Sequence, residues 1–109
     1  MTSKELALVC GLDTAILGNP DLEIDKVYCC DLLSIVMGKA PANSAWVTVM
    51  ANINSVAVAS LAEIGVIVLA DSVQPDQNVL TKAEENGINI LLSKEPIFET
   101  ATKVYKAIN

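Results

Sequence analysis

In two stretches a helix-like segment closes on glycine, continues into a short apolar run and leaves through a polar turn that ends in proline. The first is Glu63-Ile64-Gly65, then Val66-Ile67-Val68-Leu69-Ala70, then Asp71-Ser72-Val73-Gln74-Pro75. The second is Glu85-Asn86-Gly87, then Ile88-Asn89-Ile90-Leu91-Leu92, then Ser93-Lys94-Glu95-Pro96. Apolar runs too short for buried helices, alternating with helical stretches, are the mark of β-α-β units and a parallel sheet covered by helices. The expected fold is therefore α/β: a three-layer α/β/α sandwich with a mainly parallel sheet of four to five strands.

The 109 residues make one domain, 1–109. Hydrophobic residues reach 52% while aromatics are only 4%. The core is thus expected to be aliphatic, as buried parallel strands prefer. An apolar excess on so small a domain points to a covered face, and so to a homodimer. All seven cations are lysines, histidine is absent, and the net charge is −6. Nucleic acid and anionic membranes are poor partners for such a surface. Without histidine no Ser-His-Asp or Cys-His pair exists, and without arginine there is no bidentate fork for a carboxylate or phosphate. Cys10, Cys29 and Cys30 form no CxxC pair. Neither a metal site nor any other cofactor is expected. An odd cysteine count with no secretory segment fits the cytoplasm.

Ser3 is expected to cap a helix to Val9 or Cys10, stopped by Gly11, with a short strand at 14–17. Leu22 to Cys30 alternates as a half-exposed strand does. Asp31 is then placed to cap a helix from Leu32 to Met37, closed by Gly38. Trp46 to Ala51 reads as a strand with Trp46 as a packing anchor, and Asn52 or Asn54 caps the helix that follows, Ser55 to Ile64. A further helix covers Asp76 to Glu85. The last helix begins near Pro96, with an apolar stripe of Ile97, Phe98, Ala101, Val104, Tyr105 and Ile108, and with Glu99 and Lys103 paired one turn apart.

In an open parallel sheet, ligands bind beyond the carboxyl ends of the strands and at helix N-termini. The candidates there are Asn52, Asn54, Asp71, Ser72, Ser93 and Lys94, joined by Asp31 and Ser34. Their amide, hydroxyl and carboxylate groups suit a small polar ligand, although the same residue types also serve as helix caps and turns. Neither GxGxxG nor GxxxxGK follows any strand. Asp31 beside Cys30 does not activate a thiol, because a carboxylate raises a thiol's pKa. Cys29 and Cys30 point to opposite faces of a strand and act as small fillers.

Tyr28-Cys29-Cys30-Asp31-Leu32-Leu33-Ser34-Ile35-Val36-Met37 resembles the Y-V-S-D-L-L-S-x-V-M stretch of DRTGG domains. Trp46-Val47-Thr48-Val49, Asn54-Ser55-Val56-Ala57-Val58-Ala59, Pro75-Asp76, Lys82-Ala83-Glu84-Glu85-Asn86-Gly87-Ile88 and Leu91-Leu92-Ser93 are similar to further segments of that family, and the last also to the N-terminal domain of HPr kinase/phosphorylase. The resemblance spans about residues 24–105 and implies a regulatory or ligand-binding domain rather than an enzyme. Asp31, Ser34 and Asn54 match the family pattern. The D-R-T-G-G string is absent, and Met50-Ala51-Asn52 stands where relatives often carry Gln-Thr-His. The expected function is non-catalytic: sensing a small polar metabolite or nucleotide and acting on a metabolic enzyme or kinase partner. The alternative is an assembly or dimerisation subunit with no ligand. An activity built on Asp31, Asp71 or Cys30 is the remote third reading.

Overall fold

A computed structural model describes residues 1–109. Five helices and five strands follow in the order α1 (Ser3–Cys10), β1 (Asp13–Leu17), β2 (Lys26–Cys29), α2 (Leu33–Lys39), β3 (Ser44–Thr48), α3 (Ile53–Leu61), β4 (Val66–Leu69), α4 (Gln77–Glu85), β5 (Asn89–Leu92) and α5 (Ile97–Ile108). The sheet order is β1-β5-β4-β3-β2. Strands β2 to β5 are parallel and β1 is antiparallel to β5. The three-layer α/β/α arrangement expected from the sequence is the one observed.

Alternation along the central strands divides the core. Trp46, Ile67, Leu69 and Ile90 pack with Val36, Val56, Ala59, Val79 and Ala83 beneath α2, α3 and α4. Ala45, Val47, Val66, Val68 and Leu91 pack with Leu6, Ala7 and Val104 beneath α1 and α5. Trp46 is an anchor as expected: it is wholly buried and its Nε1–H donates to the Cys30 carbonyl at 2.8 Å. β-Branched Val56 and Val58 sit in a helix because a crossover between parallel strands has to span the sheet. Gly65 enters β4 where backbones close in. A Cβ there would stand 2.2 Å from Ile24 Cδ1 and 3.3 Å from the Ser44 carbonyl oxygen.

Several local expectations are corrected. The cap of α1 is Thr2, whose side chain accepts from Glu5 N while the Glu5 carboxylate accepts from Thr2 N, forming a capping box. Ser3 lies one residue further in, fully buried, with Oγ 2.9 Å from Asn89 Nδ2. Asp31 does not cap α2. Leu32 holds the cap position without a side-chain bond, and the helix runs through Gly38 to Lys39. Strand β2 starts only at Lys26, since Glu23 bridges to Thr2 instead. Strand β3 ends at Thr48, whose hydroxyl accepts from Met50 N and turns the chain out of the sheet. Pro96 is the cap of α5 rather than its first helical residue. Phe98 and Tyr105 leave the apolar stripe for solvent, and Lys103 pairs with Glu95 rather than Glu99.

Candidate functional site

The parallel strands advance in sequence from β2 to β5, and their crossover helices α2, α3 and α4 all cover one face. Neighbouring loops at the carboxyl ends of β2, β3 and β4 therefore run the same way, and no crevice opens between them. Only after β5 does the chain pass to the other face, into α5. The divergence of loops to opposite faces, which makes a ligand crevice in open α/β sheets, thus falls between β4 and β5. Here it is closed. Asp71 N donates to the Glu95 carbonyl at 2.8 Å and Ser72 N to the Ser93 carbonyl at 2.9 Å.

Two non-glycine residues in the left-handed region make that closure possible. Asp71 and Ser72 have φ of 56° and 60°, and Val73 N donates to the Ala70 carbonyl at 3.1 Å. Positive φ at both central positions with that bond is the type I′ turn. Such conformations cost of order 1 kcal/mol or more per residue and persist only where the surroundings enforce them. The two cross-loop bonds supply that enforcement.

Next along the rim, Asp31 Oδ1 accepts from Thr48 Oγ1 at 2.6 Å and from Val49 N at 3.1 Å. The carboxylate thus clips the chain leaving β2 to the end of β3, and Oδ2 has no partner among the chain's hydrogen bonds. Asn52 Oδ1 caps α3 by accepting from Ser55 N at 3.1 Å, and Ser55 Oγ donates to the Met50 carbonyl at 2.7 Å. Ser34 and Asn54 are exposed in the first turns of α2 and α3. Ser93 is buried; its hydroxyl lies 2.7 Å from Thr100 Oγ1 and accepts from Glu95 N, bracing the start of α5. Lys94 is exposed and belongs to none of the chain's ion pairs.

All eight residues therefore lie at the carboxyl end of the parallel sheet. They form a shallow line across four strand ends, about 15 Å from Asp31 to Ser93 at the usual spacing between strands. Of them, only Ser93 and Lys94 line a recess, a volume of about 210 Å³ that also touches Cys10, Asp13, Glu95 and Lys103. Larger and more open grooves lie elsewhere, along α5. Cys29 is exposed at the end of β2, where partial burial, and then the Asp31 carboxylate, push its thiol upward. That shift withholds the thiolate a nucleophile needs.

Sequence reasoning missed Thr48, the hydroxyl that positions Asp31, and the buried Asn89, whose Nδ2 lies 2.9 Å from Ser3 Oγ and from the Asn19 and Gly65 carbonyls. The available signal was a polar residue inside an otherwise apolar strand, Thr48 in β3 and Asn89 in β5. Asn89 sits at the opposite end of the sheet and ties α1 to β4 and β5.

No family model matches the chain, and no curated protein does. Among solved structures it is similar to the CBS and DRTGG domains of the regulatory region of Clostridium perfringens pyrophosphatase, complexed with the activator diadenosine tetraphosphate. The TM-score is 0.76 at 8% identity, over 97% of this chain and 46% of that one. This chain thus spans less than half the length of that neighbour. In fold, it is DRTGG-like.

Proposed function

We propose that this chain is a non-catalytic regulatory domain, 1–109, that senses a small polar metabolite or nucleotide at the carboxyl end of its sheet. The observation that carries the reading is Asp31: one carboxylate oxygen is held by Thr48 and Val49 N, and the other is left for a ligand. A carboxylate fixed in this way accepts from hydroxyl groups, such as those of a ribose, or from the exocyclic amine of a base. The first-turn amides of α3 favour negative charge beside it. A line of about 15 Å across four strand ends matches an extended nucleotide better than a compact metabolite. The fold neighbour is a regulatory region complexed with a dinucleotide activator of a pyrophosphatase. By that analogy the domain acts on a metabolic enzyme. A kinase as partner, a cytoplasmic location and a homodimer belong to the same proposal but rest on the sequence alone, the homodimer on the chain's apolar excess.

A thermal-shift screen against mononucleotides, dinucleoside polyphosphates, acyl-CoAs and phosphorylated metabolites tests this. Ligand at a hundredfold over Kd adds about 2.7 kcal/mol to the native state, several degrees for a domain of this size. The shift is expected for at least one nucleotide and is lost in Asp31→Ala. Silence across the panel overturns the reading.

The bonds from Asp71 and Ser72 that close the β4–β5 crevice favour a second reading, an assembly subunit whose pocket has become packing. Self-association without any ligand response supports that one.

A further inference from the structure

Five large hydrophobic side chains are at least 60% exposed; Leu61 lies at the end of α3, and the other four, Leu8 (77%), Phe98 (75%), Val9 (62%) and Tyr105 (60%), belong to the α1–α5 layer. Phe98 and Tyr105 border an apolar groove of about 420 Å³ floored by Val27, Ala101 and Thr102. Two exposed aromatics beside a groove they could fill mark a surface built to be covered. The charges beside them say by what. Lys103 is taken by Glu95, but Glu99 and Lys106 have no ion-pair partner within the chain. They stand seven residues apart, about 10.5 Å along the helix, too far to meet each other.

We infer that α5 is the homodimer interface, packing antiparallel against the partner's α5 about a two-fold axis beside Thr102. This rests on the homodimer reading above and deepens it. At 100° per residue, Phe98, Thr102 and Tyr105 fall within about 60° of one another, and Glu99 and Lys106 share one flank within about 20°. An antiparallel two-fold keeps that flank on the same side in both copies. It brings the partner's Tyr105 to the level of Phe98 and the partner's Lys106 to the level of Glu99, each within about 1.5 Å along the axis. Two aromatic pairs and two ion pairs form at once. The small side chains of Ala101 and Thr102 let the helices approach at the centre. A patch that complements itself in shape and charge is what an isologous interface requires.

Sedimentation velocity on the full chain over a concentration series tests the inference. Wild type is expected to be a dimer. Glu99→Lys and Lys106→Glu each place like charges opposite one another two times per dimer and should weaken association about tenfold or more. The double variant Glu99→Lys/Lys106→Glu restores the pairs and should recover wild-type affinity. Thr102→Cys, next to the axis, should give a disulfide-linked dimer on mild oxidation that wild type, with the same native cysteines, does not. A dimer indifferent to both reversals, with no Thr102→Cys crosslink, overturns this interface and leaves the homodimer reading standing. A wild-type monomer at high micromolar concentration overturns both.

Discussion

Asp31 carries two loads. Its Oδ1 joins the ends of β2 and β3 through Thr48 and Val49, and its Oδ2, without a partner in the chain, is the acceptor that the proposed function assigns to a ligand. Hydrogen bonds to a charged group contribute about 1.5–3 kcal/mol when partly shielded, and less where the group is exposed as here. Asp31→Ala is expected to cost on the order of 1 kcal/mol and to abolish the ligand response. Thr48→Val is expected to cost a similar amount and only to weaken that response, because Val49 N still holds the carboxylate. Urea unfolding and ligand titration of both single variants and the double check this: the two stability losses should not add. Ser72 is the complementary case, a side chain in a left-handed backbone. Ser72→Gly relieves that strain and should stabilise the chain by about 1 kcal/mol, read as a Tm rise of several degrees. The sequence placed both residues at the rim correctly but read Asp31 as a helix cap. An aspartate before a helix has the same local signature whether it bonds forward to its own helix or sideways to a neighbouring strand.

At the scale of elements, the capping box of α1 brings a pH dependence. The bond from Thr2 N, then the Thr2 side chain, hold the Glu5 carboxyl below its ordinary value. A carboxylate with a lowered folded pKa stabilises above its unfolded pKa, and that contribution is lost as pH falls through the folded value. Glu5→Gln keeps an acceptor but loses the charge. It is expected to melt below wild type at pH about 7 and to converge with it once the pH has fallen below the lowered folded value, where both side chains are neutral. The helices and parallel strands were legible because each βα unit repeats one pattern, a glycine stop, an apolar run and a polar turn. Their ends were less so. Strand β2 starts late at Lys26 and β3 stops early at Thr48, since backbone bonds to the N-terminal residues hold the chain before β2 and the side chains of Asp31 and Thr48 turn it after β3. In α5 the apolar stripe was drawn too wide on one side and left out Ala107, which packs against the core. The sheet takes Ile97, Ala101, Val104 and Ile108 and leaves Phe98 and Tyr105 to solvent.

The whole molecule has one point at which its connections diverge to opposite faces, between β4 and β5, and two backbone bonds tie that point shut. Strand order and crossover side are long-range properties that propensity does not carry, so the sequence could place candidate residues at strand ends without saying whether a crevice opened there. What results is a shallow polar rim on one end of the sandwich and an uncovered aromatic ridge on α5. On the proposed reading sensing belongs to the first and association to the second, and the two should be separable by mutation. An amide-resolved NMR titration with the nucleotide that gives the largest thermal shift tests the central claim most directly. The account predicts shifts at Asp31, Val49, Asn52 to Ser55 and Asp71 to Ser72, extending to Ser93 and Lys94, with α5 and the far wall of the recess at Cys10 unmoved. Shifts confined to that recess, or none at saturating nucleotide, would contradict it.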